Sequence, residues 1–330
     1  MMNYRQFGKT ELRVSEIGFG AWAIGGAASV GGLPIGWGET DDDSSINAIH
    51  AALDAGINFY DTADFYGLGH SEELLGKVLR GKNDSILATK VGQRAVNEKI
   101  VIDYSKAYII DACEQSLKRL QRETIDYYQL HVARLPHLQN GECIEAMEQL
   151  KKEGKIRYWG LSLNTFHPQP EADFLLEKNW GDGFQLVFNL INQRSFDLLH
   201  RAAAKGYGII ARMPLQFGLL TGKFSSSTTF HQDDHRSFRF SPEILEKTLQ
   251  LLEEKVWPIG KKEGLSETSL ALSYILSFPA VSTVIPGIRT AEQVQGNTQG
   301  LKTLTTENRD LLQSLAAEWE PVVQLMEQRG

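Results

Sequence analysis

The sequence contains little cysteine and no long apolar run. Cys113 and Cys143 are too few for a disulfide framework, and each falls on the apolar side of a helical pattern. We therefore expect buried free thiols and a reducing compartment. No stretch is long enough to span a bilayer, and the opening residues lack the apolar core of a secretion signal, which together favour a soluble, cytoplasmic protein.

Basic residues are scarce as well. The chain has 34 Lys and Arg against 41 Asp and Glu, for a formal charge of -7. A nucleic acid or an anionic membrane would require a basic surface, so we expect neither as a partner. A small molecule is the expected ligand, and the sequence does not predict an oligomeric state.

The glycine fingerprint of open dinucleotide-binding sheets is also missing, because "GFGAWAIGG" has the wrong spacing and does not open a helix. Instead, short apolar runs alternate with helical patterns from end to end, which is typical of βαβ units. The runs cover residues 16–20, 58–62, 85–90, 126–131, 158–162, 184–189, 208–213 and 282–287. They predict an α/β fold, a single (β/α)₈ barrel over residues 1–330, with a doubly wound open sheet as the competing architecture.

Two segments exceed the minimal strand-helix unit. "NYRQFGKTELRV" reads as a β-hairpin with "GKTE" as its turn, and we expect it to close the barrel floor. Residues 221–242 form a long polar loop after the seventh strand. Loops of this length are usually functional or disordered.

Polar side chains follow three neighbouring strands of the predicted barrel. Asp61 ends the second strand, Lys90 the third and His131 the fourth, with Tyr66 on the loop after the second. Strand ends meet at one rim, so Lys90 would compensate the otherwise costly Asp61 carboxylate. A buried ammonium also makes a neighbouring phenol a better proton donor, and an imidazole can orient a carbonyl. This group suits carbonyl reduction.

Simpler readings exist for each residue alone. Asp61 could cap a loop, Tyr66 could be a rim aromatic and His131 a structural histidine. Lysine is seldom found at the inner end of an apolar strand, so Lys90 favours a functional site. Lys90 could also form a Schiff base in a barrel lyase.

Almost the whole chain resembles the aldo-keto reductase superfamily. The similar segments are "YRQFGKTELRVSEIGFGAWAIGG", "GINFYDTADFYGLGHSEELLG", "ATK" and "YYQLH". The resemblance implies an NAD(P)H-dependent reductase without a metal, in which Asp61, Tyr66, Lys90 and His131 are catalytic. Some relatives are instead regulatory subunits that bind cofactor and attach to a membrane protein, and this alternative stays open.

The resemblance also implies cofactor contacts. Gly20 and Trp22 would lie near the nicotinamide and ribose, and Ser162, Asn164 and Gln185 at the carboxamide. The segment "PLQFGLLTGKF" would line the pyrophosphate through Leu215, Gln216, Gly218, Leu220 and Lys223. In "IPGIRTAEQVQGN", Gly287 and Arg289 would contact the 2′-phosphate, and Gln293 and Asn297 the adenine. Because a guanidinium suits a phosphate, we expect NADPH rather than NADH.

The sequence departs from the commonest family pattern at several points. "ARMPL" stands where many members have "YSPL", so the planar guanidinium of Arg212 would stack on the nicotinamide. "SLN" replaces "SN", and "VAR" follows His131 where many members carry a tryptophan. Trp37, with Trp22 and Tyr66, is a candidate wall of the substrate pocket, and a packing role for Trp37 is the open alternative. "HQDDH" at 231–235 could bind a metal, but a solvated loop is the better reading.

Overall fold

The structure is a computed structural model that describes residues 2–231, 234 and 236–329. The strands in these residues are β1 (Tyr4–Gln6), β2 (Arg13–Ser15), β3 (Phe19–Gly20), β4 (Ser29–Val30), β5 (Leu33–Pro34), β6 (Phe59–Asp61), β7 (Ile86–Val91), β8 (Gln93–Val96), β9 (Lys99–Ile102), β10 (Ile125–His131), β11 (Ile156–Ser162), β12 (Gly183–Val187), β13 (Gly208–Arg212) and β14 (Thr283–Ile285).

The helices of the same residues are α1 (Asp42–Asp54), α2 (His70–Leu79), α3 (Lys106–Leu120), α4 (Leu135–Asn140), α5 (Glu142–Lys152), α6 (Gln169–Lys178), α7 (Phe196–Ala204), α8 (Arg236–Arg239), α9 (Pro242–Leu251), α10 (Trp257–Glu263), α11 (Glu267–Leu276), α12 (Ala291–Thr298), α13 (Thr306–Ser314) and α14 (Ala316–Glu327). Among the residues described, no helix combines the length and hydropathy that crossing a bilayer would require.

An eight-stranded parallel sheet closes on itself. Its strands pair in the order β14, β13, β12, β11, β10, β7, β6, β3. Bridges from Ile17 to Val284 and from Gly20 to Gly287 join the last strand to the first. The predicted barrel is therefore confirmed, and the open sheet is excluded.

Helices cover the outside of the barrel with one buried stripe each. On α3 the stripe includes Ile109, Cys113 and Leu117, whose spacing of four residues repeats one face of a helix. On α1 the buried stripe includes Ala48, Ile49 and Ala52, and Cys113 and Cys143 are buried free thiols, as expected. These helices hold the strand ends in a fixed order around the mouth.

The hairpin β1–β2 closes the barrel floor, as predicted. Phe7 is fully buried against the Tyr127 ring, with centroids 4.9 Å apart. A Cβ on Gly208 would lie 2.5 Å from the Phe7 ring, so glycine is required for this close approach. Arg5 donates hydrogen bonds to the carbonyls of Phe278 and Val281 just after α11. Burial of one phenylalanine side chain contributes about 1.5–3 kcal/mol to stability, which favours the docked position of the hairpin.

Two further hairpins, β4–β5 and β8–β9, stand at the opposite end. Their tips touch, because a Cβ on Gly31 would lie 2.2 Å from the Glu98 carbonyl oxygen. The long loop at 221–242 is more ordered in its described residues than its polar composition indicates. It contains α8 and a packed aromatic pair, Phe224 and Phe230, with ring centroids 5.4 Å apart.

Candidate active site

A buried ion pair lies at the barrel mouth. The Lys90 Nζ donates to Asp61 Oδ1 at 2.5 Å and to the Thr62 carbonyl at 2.7 Å. Both charged side chains are almost completely buried. Burial alone would lower the pKa of Lys90, but the Asp61 carboxylate and the Tyr66 hydroxyl raise it above its usual value. Lys90 is therefore a permanent cation, and removal of one partner from such a pair costs about 3–5 kcal/mol.

The second oxygen of Asp61 is held by two amides. Asp61 Oδ2 accepts hydrogen bonds from Gln129 Nε2 at 3.0 Å and from Gln185 Nε2 at 2.7 Å. Ser162 Oγ donates in turn to Gln185 Oε1 at 3.4 Å. Our sequence reading missed Gln129, although it lies two residues before His131 and side chains alternate along a strand. The carboxylate cannot rotate away from Lys90 without breaking these bonds.

The Tyr66 hydroxyl lies on the open side of Lys90. The distance from Lys90 Nζ to Tyr66 Oη is 3.4 Å. The chain after Tyr66 turns through left-handed conformations, with φ of 61° at Gly67 and 54° at Leu68. A Cβ on Gly67 would come within 2.1 Å of the Gly25 carbonyl oxygen, so this turn requires glycine. The loop thus fixes the phenol over the ammonium.

His131 stands beside the phenol. The two ring centroids are 5.9 Å apart and nearly perpendicular. Burial, reinforced by the Lys90 and Arg212 cations, holds the pKa of His131 well below its usual value, so the imidazole is neutral at pH 7. Its Nδ1 atom is buried and has no hydrogen-bond partner among the described residues. His131 also lines the cleft, where the N–H of a neutral imidazole can donate a hydrogen bond to a carbonyl oxygen.

These residues open into a cleft of about 980 Å³. That volume is at the upper end of the range for small-molecule sites, about 300–1,000 Å³, and exceeds what a simple aldehyde needs. The predicted residues that line it are Gly20, Trp22, Trp37, Asp61, Tyr66, His131, Gln185, Arg212, Leu215, Gln216, Gly218, Lys223, Gly287, Arg289 and Gln293. Four cations also line it, which we call the cationic wall: Lys223, Arg236, Arg239 and Arg289.

Some predicted cofactor residues do not line this cleft. Ser162 is buried behind Gln185, Leu220 lies in the hydrophobic core, and Asn297 is buried on α12. The side chain of Asn164 caps the following turn, accepting hydrogen bonds from the backbone N–H groups of Phe166 and His167. Ser162 contacts Gln185 rather than the cleft, and the cofactor contacts of all four residues stay predictions.

Arg212 lies at the end of β13 and faces the cleft. Its guanidinium donates to the Leu163 carbonyl at 3.1 Å and to Thr165 Oγ1 at 3.0 Å. Burial lowers the pKa of Arg212, and Tyr66 and Asp61 oppose that shift. The Nε atom is buried without a partner in the part of the chain described. Thr165, which the sequence analysis missed, therefore helps to set the plane of this group.

The segment after Arg212 is strained. Met213, Gln216 and Phe217 have φ of 53°, 45° and 55°, which non-glycine residues rarely adopt. Asn189 holds the segment, donating to the Met213 carbonyl at 2.9 Å and to Gln216 Oε1 at 2.8 Å. Such strain is concentrated at ligand-binding sites. Asn189 is the last residue of a predicted strand, and that position is the only sequence signal that could have indicated its role.

The structure describes only part of the predicted loop "HQDDH". Gln232, Asp233 and His235 lie outside the described residues. Asp234 pairs with Arg236 at 2.5 Å, and the Arg236 guanidinium lies 5.6 Å from the centroid of the Trp37 ring. No pattern in the sequence predicts a role for Arg236, Arg239 or Phe217, because none of them falls in a periodic segment.

The residues of this cleft fit a nicotinamide dinucleotide. Gly20 and Gly287 are bridged at its edge, and a Cβ on Gly287 would meet no atom within 4 Å, which leaves the backbone open to a ligand. Exposed cations lie beyond it, and a phenol with an ammonium lies at its inner end. A closed (β/α)₈ barrel with this site defines a class of nicotinamide-dependent oxidoreductases.

Comparison with known proteins identifies the family. The profile of the Aldo/keto reductase family matches residues 16–317, and the chain belongs to that family. The oxidoreductase YqkF of Bacillus subtilis (strain 168) is 34% identical over 320 residues, covering 95% of this chain and 96% of the relative. The family confirms the predicted resemblance and an NAD(P)H-dependent oxidoreductase that acts on small carbonyl compounds.

Solved structures agree with this assignment. A glycerol dehydrogenase from Gluconobacter oxydans superposes with a TM-score of 0.82 at 32% identity and covers 96% of both chains. The holo form of an aldo-keto reductase from Bacillus halodurans gives a TM-score of 0.78 at 31% identity, covering 96% of this chain and 97% of its own. Both are similar to this chain over nearly their whole length.

Proposed function

We propose that this protein reduces an aldehyde or ketone to the alcohol with NADPH. The observation that carries the proposal is the position of Lys90 Nζ, 2.5 Å from Asp61 Oδ1 and 3.4 Å from Tyr66 Oη, at the inner end of an open cleft. Reduced nicotinamide supplies the hydride. The protein must supply the proton and hold the carbonyl.

Each residue of the group has one role in this reaction. Tyr66 donates its phenolic proton to the carbonyl oxygen. Lys90 stabilises the phenolate that remains, because an ammonium 3.4 Å away favours the charged form of the phenol. Asp61 keeps Lys90 in place, and neutral His131 orients the carbonyl oxygen.

The cationic wall supports NADPH over NADH. Arg289 is exposed at the cleft, and its backbone N–H is fixed by Gln293 Oε1 at 2.8 Å. The fork of a guanidinium matches a phosphate, and the extra phosphate of NADPH is the group that NADH lacks. Arg289 therefore binds the 2′-phosphate in this proposal, and Lys223 the pyrophosphate.

The structure disfavours a Schiff-base lyase. Lys90 is fully buried, its pKa is raised, and it donates to Asp61, Thr62 and Tyr66. A protonated amine has no lone pair with which to attack a carbonyl. Borohydride treatment with substrate should therefore leave Lys90 unmodified.

Replacement of Tyr66 tests the proton donor. We expect Tyr66→Phe to bind NADPH as the wild type does and to lose turnover by about 10²–10⁴-fold, the usual contribution of a general acid. Fluorescence titration of NADPH and steady-state reduction of short aldehydes would measure the two effects separately.

A remote tyrosine supplies the matched control. Tyr4 is partly exposed on β1, and its hydroxyl donates to the Gly56 carbonyl on the barrel floor side. Tyr4→Phe removes the same atom and should leave turnover unchanged. Retained turnover in Tyr66→Phe would refute the assigned donor. A wild-type protein that binds NADPH but reduces no aldehyde or ketone would instead indicate the regulatory, cofactor-binding role.

A further inference from the structure

Part of the cleft lining is apolar and exposed. Leu33 is 58% exposed and Ile100 is 37% exposed, although both are large apolar residues. Single exposed apolar side chains are common, but these two line one cleft together with Ile35 and Trp37. We call Leu33, Ile35, Trp37 and Ile100 the apolar wall.

The apolar wall has a defined architecture. Leu33 belongs to β5 and Ile100 to β9, in the two hairpins whose tips meet at Gly31 and Glu98. The β8–β9 turn uses left-handed φ of 47° at Asn97 and 59° at Glu98. Arg94 and Asp103 tie its base with an ion pair of 2.8 Å. Two hairpins that brace each other hold exposed apolar side chains in a fixed place.

Aromatic rings connect this wall to the proton donor. Trp22 Nε1 donates to the Ile35 carbonyl at 3.2 Å, and the Trp22 ring stacks 6.1 Å from the Tyr66 ring. Trp37 packs edge-on against Trp22 at 5.3 Å. Packed aromatic rings therefore connect Tyr66 with Trp37 of the apolar wall.

Charge is distributed unequally around the cleft. Among the described lining residues numbered 20–37 and 93–100, none is charged, whereas those numbered 223–239 and 287–293 include the four cations of the cationic wall and one carboxylate, Asp234, which pairs with Arg236. A dinucleotide carries phosphates and fits the cationic wall. The apolar wall is thus left for the other reactant.

The geometry points to a carbonyl substrate that carries an extended alkyl or aryl substituent, with the substituent lying against Leu33 and Ile100. This inference rests on the proposed function, because it places the carbonyl carbon at Tyr66 and His131. Contact with the wall would remove apolar surface of both partners from water, and a fully buried methylene strengthens binding by about fourfold.

The test is the dependence of kcat/KM on chain length for straight-chain aldehydes from propanal to decanal, with saturating NADPH. We expect kcat/KM to rise by about two- to fourfold for each methylene that reaches the wall. Leu33→Ser and Ile100→Ser should each flatten that rise. Because both side chains are exposed, the substitutions should cost little stability.

Ile102→Ser is the matched control. Ile102 lies on the same strand as Ile100 and is 51% exposed, but it does not line the cleft. This variant should keep the wild-type chain-length dependence. Equal slopes in all three variants, or a flat slope in the wild type, would overturn the inference.

A second readout separates this inference from the proposed function. Binding of the same aldehydes to Tyr66→Phe with NADPH, followed by cofactor fluorescence, does not require turnover. Affinity that rises with chain length and is weakened by Leu33→Ser in this background supports the apolar wall even if no aldehyde is reduced. Affinity independent of chain length would refute it even if reduction is fast.

Discussion

The two sides of the cleft differ in chemistry and in how they are built. The cationic wall comes from the loops after β13 and β14 and contains exposed or half-buried charged side chains. The apolar wall comes from two hairpins inserted after β3 and β7 and lacks charge in its described lining residues. Between them lies the buried Asp61–Lys90 pair. The barrel thus separates recognition of charge from recognition of apolar surface and places the reacting groups where the two sides meet.

Among changes to one side of the cleft, the largest expected effect is that of removing a cation on the choice between NADPH and NADH. Arg289→Gln should weaken NADPH binding by about 10–100-fold, since a hydrogen bond to a charged group contributes about 1.5–3 kcal/mol. NADH binding should change little, because it has no 2′-phosphate. Isothermal titration with both cofactors would measure the difference.

Arg201→Gln is a suitable control for that variant. Arg201 is exposed on α7, pairs with Asp173 and does not line the cleft. It should leave both affinities unchanged. An equal loss of NADPH and NADH affinity in Arg289→Gln would contradict the assigned phosphate contact.

Ionic strength should affect binding at the cationic wall but not at the apolar wall, and its effect should be smaller than that of Arg289→Gln. Salt screens exposed charges over about 10 Å at 0.1 M, so NADPH affinity should fall about five- to tenfold between 0.02 and 0.3 M salt, which are roughly the limits of a practical titration. Apolar contacts lack this dependence. The chain-length slope of aldehyde reduction should therefore stay constant or increase slightly, and a slope that falls in parallel with NADPH affinity would show that the two sides are not independent.

The smallest expected effect concerns His131, which lies between the sides. Its folded-state pKa is below the ordinary 6.5 because of burial and the nearby Lys90 and Arg212 cations. Below pH 6.5 the unfolded chain therefore binds a proton that the folded protein does not, and stability is lost as pH falls.

His131→Asn should remove that contribution, which is about 1 kcal/mol between pH 6.5 and 5.5 and at most about 1.4 kcal/mol per pH unit. Urea unfolding of both proteins at the two pH values would give the difference. An identical loss of stability in wild type and variant would mean that His131 is protonated in the folded protein.

Most of the barrel could be predicted from the sequence, because strand and helix periods alternate clearly. The predicted bounds were less accurate for the first and last barrel strands, which pair with each other to close the barrel. The first strand was predicted over 16–20 but spans Phe19–Gly20, and the last was predicted over 282–287 but ends at Ile285. Pro286 follows directly and has no N–H to donate, so the regular strand ends there, although an isolated bridge from Gly20 to Gly287 continues the pairing.

The reacting group was also predictable, since Asp61, Lys90 and His131 are polar residues that end buried strands. The apolar wall was not, apart from Trp37. Leu33 and Ile100 lie on two-stranded hairpins whose strands are only two to four residues long, too short for an alternating pattern to be distinguished from a loop. Their importance depends on the contact between Gly31 and Glu98, which no local pattern indicates.

The floor hairpin has a consequence for synthesis. Arg5 donates hydrogen bonds to the carbonyls of Leu276, Phe278 and Val281, and Phe7 packs against Gly208, so the hairpin is completed by residues that are synthesised much later than the hairpin itself. The Phe7 ring stays uncovered until Gly208 has been synthesised, and the Arg5 guanidinium lacks its carbonyl partners until the residues after α11 have followed. Substitutions in the β1–β2 hairpin should therefore increase the dependence of folding on chaperones during translation before they reduce catalytic activity.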